Sequence, residues 1–352
     1  MKKVAMIITL VTILAVAVLS AGIYIYYTSP VGNDSKVIIN IKKGDTYSNL
    51  SKTLYEKKLI KSEIFYKIYL KTNNIEPLIA GEHELNSNMN LKEIINTLSS
   101  NALEKSIRLT FKEGFNIRNF VKTITSNTNI TEDEIYAKLK DQTFLNTLIT
   151  KYWFISAEIL DTDIYFPLEG YLYPDTYDFG ENFTIEQIFT KMLDNTEAKL
   201  EENKQSIKSN EYTFHEILTL ASIIELEASN KDVKPKIAGV FYNRLNNNIS
   251  LGSDVTTYYA AGIDMGDRDL YKSELEDYNA YNTRSSKMAG KLPAGPICSP
   301  DILSIKAALS PVIENNYYFV ADKDGKVYFT ENYNDHLAII KKLKDEGKWF
   351  IY

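Results

Sequence analysis

The sequence predicts an α+β protein with a single N-terminal transmembrane helix, then a small α+β module, then a larger mixed α+β domain. Three observations predict it. Residues 4–27 form an apolar run broken only by Thr9, Thr12, Ser20 and Gly22. Strand-like and helix-period runs alternate through the rest of the chain, and several helices open on a capping box. Near the C-terminus two short apolar runs flank Asp322-Lys323-Asp324-Gly325, a hairpin signal. With 352 residues, 44% of them hydrophobic, the chain can bury cores for two or three domains.

Residues 1–28 come first. About 20 apolar residues cross a bilayer as a helix, so the run from 4 to 27 is long enough. A cleaved signal peptide is the competing reading, with small residues in Ala17-Val18-Leu19-Ser20-Ala21. The run is longer than a usual signal core, and Tyr24, Tyr26 and Tyr27 have the character of an interfacial aromatic belt. An uncleaved anchor is therefore expected. Lys2 and Lys3 keep the short N-terminus in the cytoplasm, so the chain beyond about residue 28 lies outside the cell membrane, crossed in a single pass.

Residues 29–105 follow as a unit. A polar linker, 29–35, leads into a strand-like run at 37–41 and then Lys43-Gly44-Asp45-Thr46. Asp45 or Thr46 can cap a helix carrying Leu50 and Leu54. A second helix is expected over 62–71, an extended stretch at 80–85, and a helix over 90–98. This β-α-α-β-α order, with its strand–Lys-Gly-Asp-Thr–helix opening, resembles the LysM glycan-binding fold; an ordinary strand-turn-helix explains the opening equally well.

Residues 106–352 make the larger domain. A strand at 107–111 leads through Glu113-Gly114-Phe115 to a helix over 118–126. Capping boxes at Thr131/Glu134 and Thr184/Gln187 begin further helices. Between them lies an aromatic segment, 166–177, whose Gly and Pro punctuation bars a long helix. The hairpin and a basic amphipathic helix over 335–348 close the chain.

Composition narrows the chemistry. The net charge is -6 with a pI of about 5.4, and no arginine-rich stripe marks a nucleic-acid partner. Cys298 is the single cysteine, which excludes an internal disulfide and a cysteine metal cluster. The three histidines, His83, His215 and His336, form no H-E-x-x-H pair, and G-x-S-x-G, P-loop and G-x-G-x-x-G motifs are missing. Hydrolytic chemistry here falls to carboxylates, and no metal or organic cofactor is expected.

A third capping box, Thr213/Glu216, opens a helix that is apolar on most of its circumference and therefore buried. Into it the sequence places Glu225 and Glu227. At 100° per residue both flank the apolar stripe, and helical geometry alone does not choose between them. A carboxyl against apolar neighbours has a raised pKa, because desolvation penalises the charged form. Such an acid can protonate a leaving glycosidic oxygen. Two glutamates that simply reach water at the helix end fit the same pattern.

The segments downstream are more specific. Leu220-Ala221-Ser222-Ile223-Ile224-Glu225-Leu226-Glu227 is followed by Val240-Phe241-Tyr242-Asn243-Arg244-Leu245 and by Leu251-Gly252-Ser253-Asp254-Val255-Thr256. Then come Tyr281-Asn282-Thr283, Leu292-Pro293-Ala294-Gly295-Pro296-Ile297 and residues 317–336. With Glu169 to Tyr177 upstream, this series resembles the YceG-like endolytic murein transglycosylases in motif content and order, over essentially the whole chain. The resemblance implies cleavage of the MurNAc-β-1,4-GlcNAc bond of peptidoglycan with a 1,6-anhydro end, termination of nascent strands, and wall-synthesis proteins as neighbours. It implies Glu227 as the single catalytic acid/base. Asn243, Asp254, Tyr281, Asn282, Glu225 and Tyr173 are candidates for orienting substrate, and for the Asn and Asp positions local loop capping is the plain alternative. The sequence departs from the family at Leu226, where Lys is common, at Val255 for Pro, at Ala294 for Pro and at Arg284 for Tyr. Two other functions stay open: a non-catalytic glycan-binding scaffold, and a water-using muramidase with Asp254 or Glu225 as second carboxylate.

Overall fold

A computed structural model describes residues 2–100, 102, 106–180, 183–228 and 230–349. The chain divides into two compact units, Met1–Ser106 and Ile107–Tyr352.

The first unit begins with helix α1 (Lys2–Thr28). Its stretch Met6–Thr28 is long and apolar enough to cross a membrane. At 1.5 Å per residue it spans roughly 35 Å, against a hydrocarbon core of about 30 Å. Strand β1 (Lys36–Ile41), helices α2 (Tyr47–Glu56) and α3 (Glu63–Thr72), strand β2 (Gly81–Asn86) and helix α4 (Leu91–Leu98) follow. The strands pair antiparallel from Lys36↔Asn86 to Ile41↔Gly81. Alternation sends Ile39, Ile41 and Leu85 into a core shared with Leu54, Tyr66, Ile94 and Leu98. Gly44, at φ +99°, turns the chain out of β1, and the Thr46 side chain caps α2 by accepting from Asn49 N. His83 is buried with its ring nitrogens 2.9 and 2.8 Å from the carbonyl oxygens of Thr97 and Ile79. The linker before β1 is fastened: Gly32 N donates to Ser87 O at 2.9 Å, and Ser35 N to Ser87 Oγ at 2.9 Å.

Strand β3 (Ser106–Thr110) begins at the unit boundary and leads the second unit, followed by helices α5 (Ile117–Asn127), α6 (Glu132–Leu139) and α7 (Gln142–Lys151), and strand β4 (Thr176–Gly180). β3 pairs with β4, and beside them Phe111 N donates to Asp175 O at 3.0 Å. Helices α8 (Ile185–Leu200), α9 (Lys204–Lys208), α10 (Phe214–Glu227), α11 (Lys234–Asn246), α12 (Asp254–Ala261), α13 (Lys272–Glu276) and α14 (Ile302–Leu309) follow. The antiparallel hairpin β5 (Tyr318–Ala321) and β6 (Val327–Thr330) precedes α15 (Tyr333–Asp345).

α10 runs through the centre, packed on α11, α12 and α14. Every residue from Phe214 to Ile224 except Glu216 is buried. Burying each Ile or Leu is worth about 1.5–3 kcal/mol, so the helix is fixed by packing on all sides rather than by one stripe. Glycine permits two close approaches. A Cβ on Gly239 of α11 would stand 2.0 Å from Val312 O, and one on Gly170, at φ +80°, would stand 2.5 Å from Pro296 Cβ.

Candidate active site

The N-terminal end of α10 is tied down first. Thr213 and Glu216 form the expected capping box. His215 Nε2 lies 2.9 Å from Ala294 O, and Nδ1 lies 2.9 Å from the Tyr171 hydroxyl. A carbonyl can only accept, so in the neutral ring Nε2 carries the hydrogen and Nδ1 accepts from Tyr171. Two turns further on, Ser222 Oγ accepts from Ile297 N at 3.0 Å and Cys298 Sγ lies 3.3 Å from Ser222 O. The segment 294–298 is thus strapped along the helix that ends at Glu227.

At the C-terminal end the two glutamates part. Glu225 turns into a buried ion cluster: Lys234 Nζ bonds its Oε2 at 3.0 Å and Asp301 Oδ1 at 2.9 Å. Ser304 Oγ and Asp301 N also donate to Glu225 Oε2, at 2.6 and 3.0 Å. Burial pulls the Lys234 pKa down, but the Asp301 and Glu225 carboxylates outweigh it and hold the ammonium above its ordinary value. Ligand atoms of Glu113, Glu225 and Asp301 lie within 4.8 Å of one another, a spacing that could hold a metal ion. The Lys234 ammonium already serves as the cation of that cluster.

Glu227, the last residue of α10, is half-buried and faces α12. Its Oε1 accepts from the Ser253 hydroxyl at 2.5 Å. Burial raises its pKa above the ordinary carboxylate value; the Ser253 bond pulls the other way, and the Asp254 charge adds to the rise. The Arg284 and Arg244 charges lower it. Asp254, exposed at the start of α12, is paired with Arg284 Nε. Thr283 sets this corner: its Oγ1 accepts from Ser253 N at 3.1 Å and meets Thr256 Oγ1 at 2.8 Å, and its carbonyl accepts from Gly252 N at 3.0 Å. Arg244 donates through Nε to Tyr317 O and through Nη1 to Leu251 O, both at 2.6 Å, which fixes the other wall.

The remaining sequence candidates are placed as follows. Asn243 donates its amide to the carbonyls of Glu314 and Asn316. Asn282 is buried; its Nδ2 donates to the carbonyls of Glu274, Leu275 and Asp277, and its Oδ1 accepts from Thr257 Oγ1. Tyr281 is buried against Tyr165 and Tyr259, with ring centres 4.7 and 4.9 Å away. Tyr171, Tyr173 and Tyr177 are buried too, and the Tyr177 hydroxyl donates to Tyr173 O at 2.7 Å. Of the candidates, the structure gathers Glu227 and Asp254 at one corner and adds three residues that sequence reasoning left out: Ser253, Arg244 and Thr283. All three stand inside the motif segments, but only tertiary contacts select them. A cleft of about 510 Å³ opens at the opposite end of α10, beside His215, Glu216 and Pro293.

Glu169, read from sequence only as part of an aromatic motif, is another buried carboxyl. Its two oxygens each lie 3.1 Å from Ile117 N, and Oε2 accepts from the Tyr259 hydroxyl at 2.9 Å. Burial pushes its pKa up to about 7, against the pull of the Ile117 and Tyr259 bonds.

The profile of the YceG-like family matches residues 39–342 and runs through both units without delineating a separate glycan-binding module. The chain is 37% identical over 322 residues to an endolytic murein transglycosylase of Bacillus subtilis, covering 90% of this chain and 88% of that one. It is 31% identical over 347 residues to an endolytic murein transglycosylase of Streptococcus pneumoniae, covering 91% of this chain and 62% of that longer one. A crystal structure of a YceG-like protein from Listeria monocytogenes aligns with TM-score 0.62 at 32% identity, over 87% of this chain and 100% of that one.

Proposed function

The chain belongs to the YceG-like family, and from that we propose that it is an endolytic murein transglycosylase with Glu227 as its acid/base. The observation that carries this reading is the unequal fate of three carboxylates. Glu225 is bonded to Lys234 and Asp254 is paired with Arg284, while Glu227 is bonded to a hydroxyl. A half-buried carboxyl with a raised pKa and no direct cation partner among the described residues suits an acid that must hold a proton and give it up.

In the reaction we propose, Glu227 protonates the bridging oxygen as the bond from MurNAc C1 to that oxygen breaks. The 6-hydroxyl oxygen of that MurNAc then closes on its own C1 as the hydroxyl proton passes to Glu227. One C–O bond breaks, one forms, and no water is consumed. A hydrolase needs a second free carboxylate to activate water or to attack; with Asp254 in an ion pair and Glu225 in a buried cluster, the single-acid route is favoured.

Asp254 and Ser253 would tune and orient Glu227. Asn243, Tyr281, Asn282, Glu225 and Tyr173 would act indirectly, by holding the segments around it. We assign residues 106–352 to catalysis and residues 29–105 to LysM-like glycan binding, a reading supported by the antiparallel β1–β2 pair enclosing α2 and α3. α1 would anchor the protein, with its N-terminal lysines in the cytoplasm and the catalytic part outside.

Product mass tests the reaction. Purified protein incubated with peptidoglycan strands should release fragments one water lighter than hydrolysis products. Water-bearing reducing ends would make it a muramidase, and intact strands would leave only a binding scaffold.

A further inference from the structure

One face of the first unit has no role in the chemistry above. α3 packs beside the end of α1: the Phe65 ring stacks on Tyr27, centroids 4.4 Å apart and planes 9° from parallel. One turn further along α3, Tyr69 lies within electrostatic reach of Tyr24. Lys61, just before α3, bonds Tyr26 O at 3.2 Å and Ser29 Oγ at 2.8 Å. As α3 advances from Phe65 to Tyr69, its partners on α1 retreat from Tyr27 to Tyr24. The helix therefore runs antiparallel to α1 and lies alongside the last turn of the apolar stretch Met6–Thr28.

Away from Tyr66, which is buried in the core, α3 exposes Ile64, Lys67, Ile68 and Lys71. Their i, i+3, i+4, i+7 spacing makes one stripe. Ile64 is 70% exposed. Residues 57–72 carry five lysines and one acid, Glu63, in a chain whose net charge is -6. A stripe in which isoleucines and lysines alternate, beside the end of the apolar stretch of α1, matches the chemistry of a bilayer interface: apolar side chains enter the headgroup boundary and lysines meet phosphates.

We propose that α3 and the preceding turn, through Ile64, Ile68, Lys57, Lys58, Lys67 and Lys71, form a membrane-contact surface for anionic phospholipid headgroups. The proposal rests on the reading of α1 as an anchor. Contact of this kind would hold the first unit against the bilayer at two points instead of one.

Full-length protein with Ile64→Cys, and separately Ile68→Cys, is labelled with an environment-sensitive fluorophore; Cys298 is buried, and mock-labelled wild type supplies the background. The protein is reconstituted into phosphatidylcholine vesicles with or without phosphatidylglycerol, each doped with a nitroxide-bearing lipid. Expected are a blue-shifted label and nitroxide quenching several-fold stronger with phosphatidylglycerol. Replacing the four named lysines with Gln should abolish that difference. Protein that floats with the vesicles while the label at both positions stays unquenched overturns the surface and leaves the anchor standing. Equal quenching in both lipids overturns the preference for anionic headgroups. Protein that does not float with vesicles overturns anchor and surface together.

Discussion

The Ser253 hydroxyl donates to Oε1 of Glu227, linking the start of α12 to the last residue of α10. This bond opposes the rise that burial imposes on the Glu227 pKa. Ser253→Ala should therefore move the alkaline limb of the activity profile to higher pH. It should also lower the rate on the order of tenfold, the equivalent of one hydrogen bond to a charged group. A pH–rate profile of anhydro-product release checks both, and an unmoved limb would remove Ser253 from the site.

Glu227→Gln should cost at least about 10² in rate, the lower end of general acid/base catalysis. Its effect on stability runs the other way. The raised pKa means the native state holds this proton more tightly than the unfolded chain does. Stability contributed by the protonated form is thus full below the ordinary carboxylate pKa and is lost as pH climbs through the raised one. The Gln variant has no ionisation cost, so its melting temperature should gain on wild type as pH rises across that window. Thermal melts at a series of pH values read this, and a constant gap would contradict it.

Lys234→Met leaves Glu225 and Asp301 buried without their cation. Removing one partner of a buried pair costs about 3–5 kcal/mol, so denaturant midpoints should fall steeply. The pH dependence has the opposite sign to that of Glu227. Burial pushes the Asp301 pKa up, but the Lys234 bond prevails and holds it below the ordinary range. Its contribution is present above the ordinary aspartate pKa and is lost as pH falls below it. Asp301→Asn should flatten the acid limb of the stability profile, measured by urea unfolding across acidic pH.

Glu169→Ala orphans Ile117 N and the Tyr259 hydroxyl, which both bond its carboxyl. Each buried group left unpaired costs about 1–3 kcal/mol. Gly170→Ala should be as damaging for a different reason, since its Cβ would overlap Pro296 in a left-handed backbone. Wild-type stability should decline as pH rises from the ordinary glutamate value to about 7, the raised Glu169 pKa. Glu169→Gln should remove that decline, with calorimetry as the check.

What could be read from the chain beforehand follows the range of the forces involved. The capping box at Thr213, the β-α-α-β-α order of the first unit and the closing hairpin rest on neighbours a few residues apart, and all three are found. β4 starts only at the end of the aromatic segment and carries no local signal, because its partner β3 lies some 66 residues away, as the Thr110–Thr176 hydroxyl contact measures. Helical geometry leaves Glu225 and Glu227 equivalent, and the distinction comes from Lys234 on α11 and from Asp301 and Ser304 at the start of α14. For Asn282 the sequence leaves two readings, substrate contact or loop capping. Its amide is engaged by three carbonyls at 274, 275 and 277, which is the capping arrangement.

Seven residues, 29–35, separate α1 from β1, and as a loose strand they would reach roughly 24 Å. They are stitched instead to the turn after β2, through Gly32 to Ser87, Ser35 to Ser87 and Asp34 to Asn86. Mechanically the segment is a bracket and not a leash. Load on the β1–β2 pair passes to α1 through hydrogen bonds in parallel, so the pair cannot swivel freely about the end of that helix. Lengthening this stretch with a few Gly-Ser pairs after Pro30 would widen the volume the β1–β2 pair sweeps and give up its fixed attitude to α1.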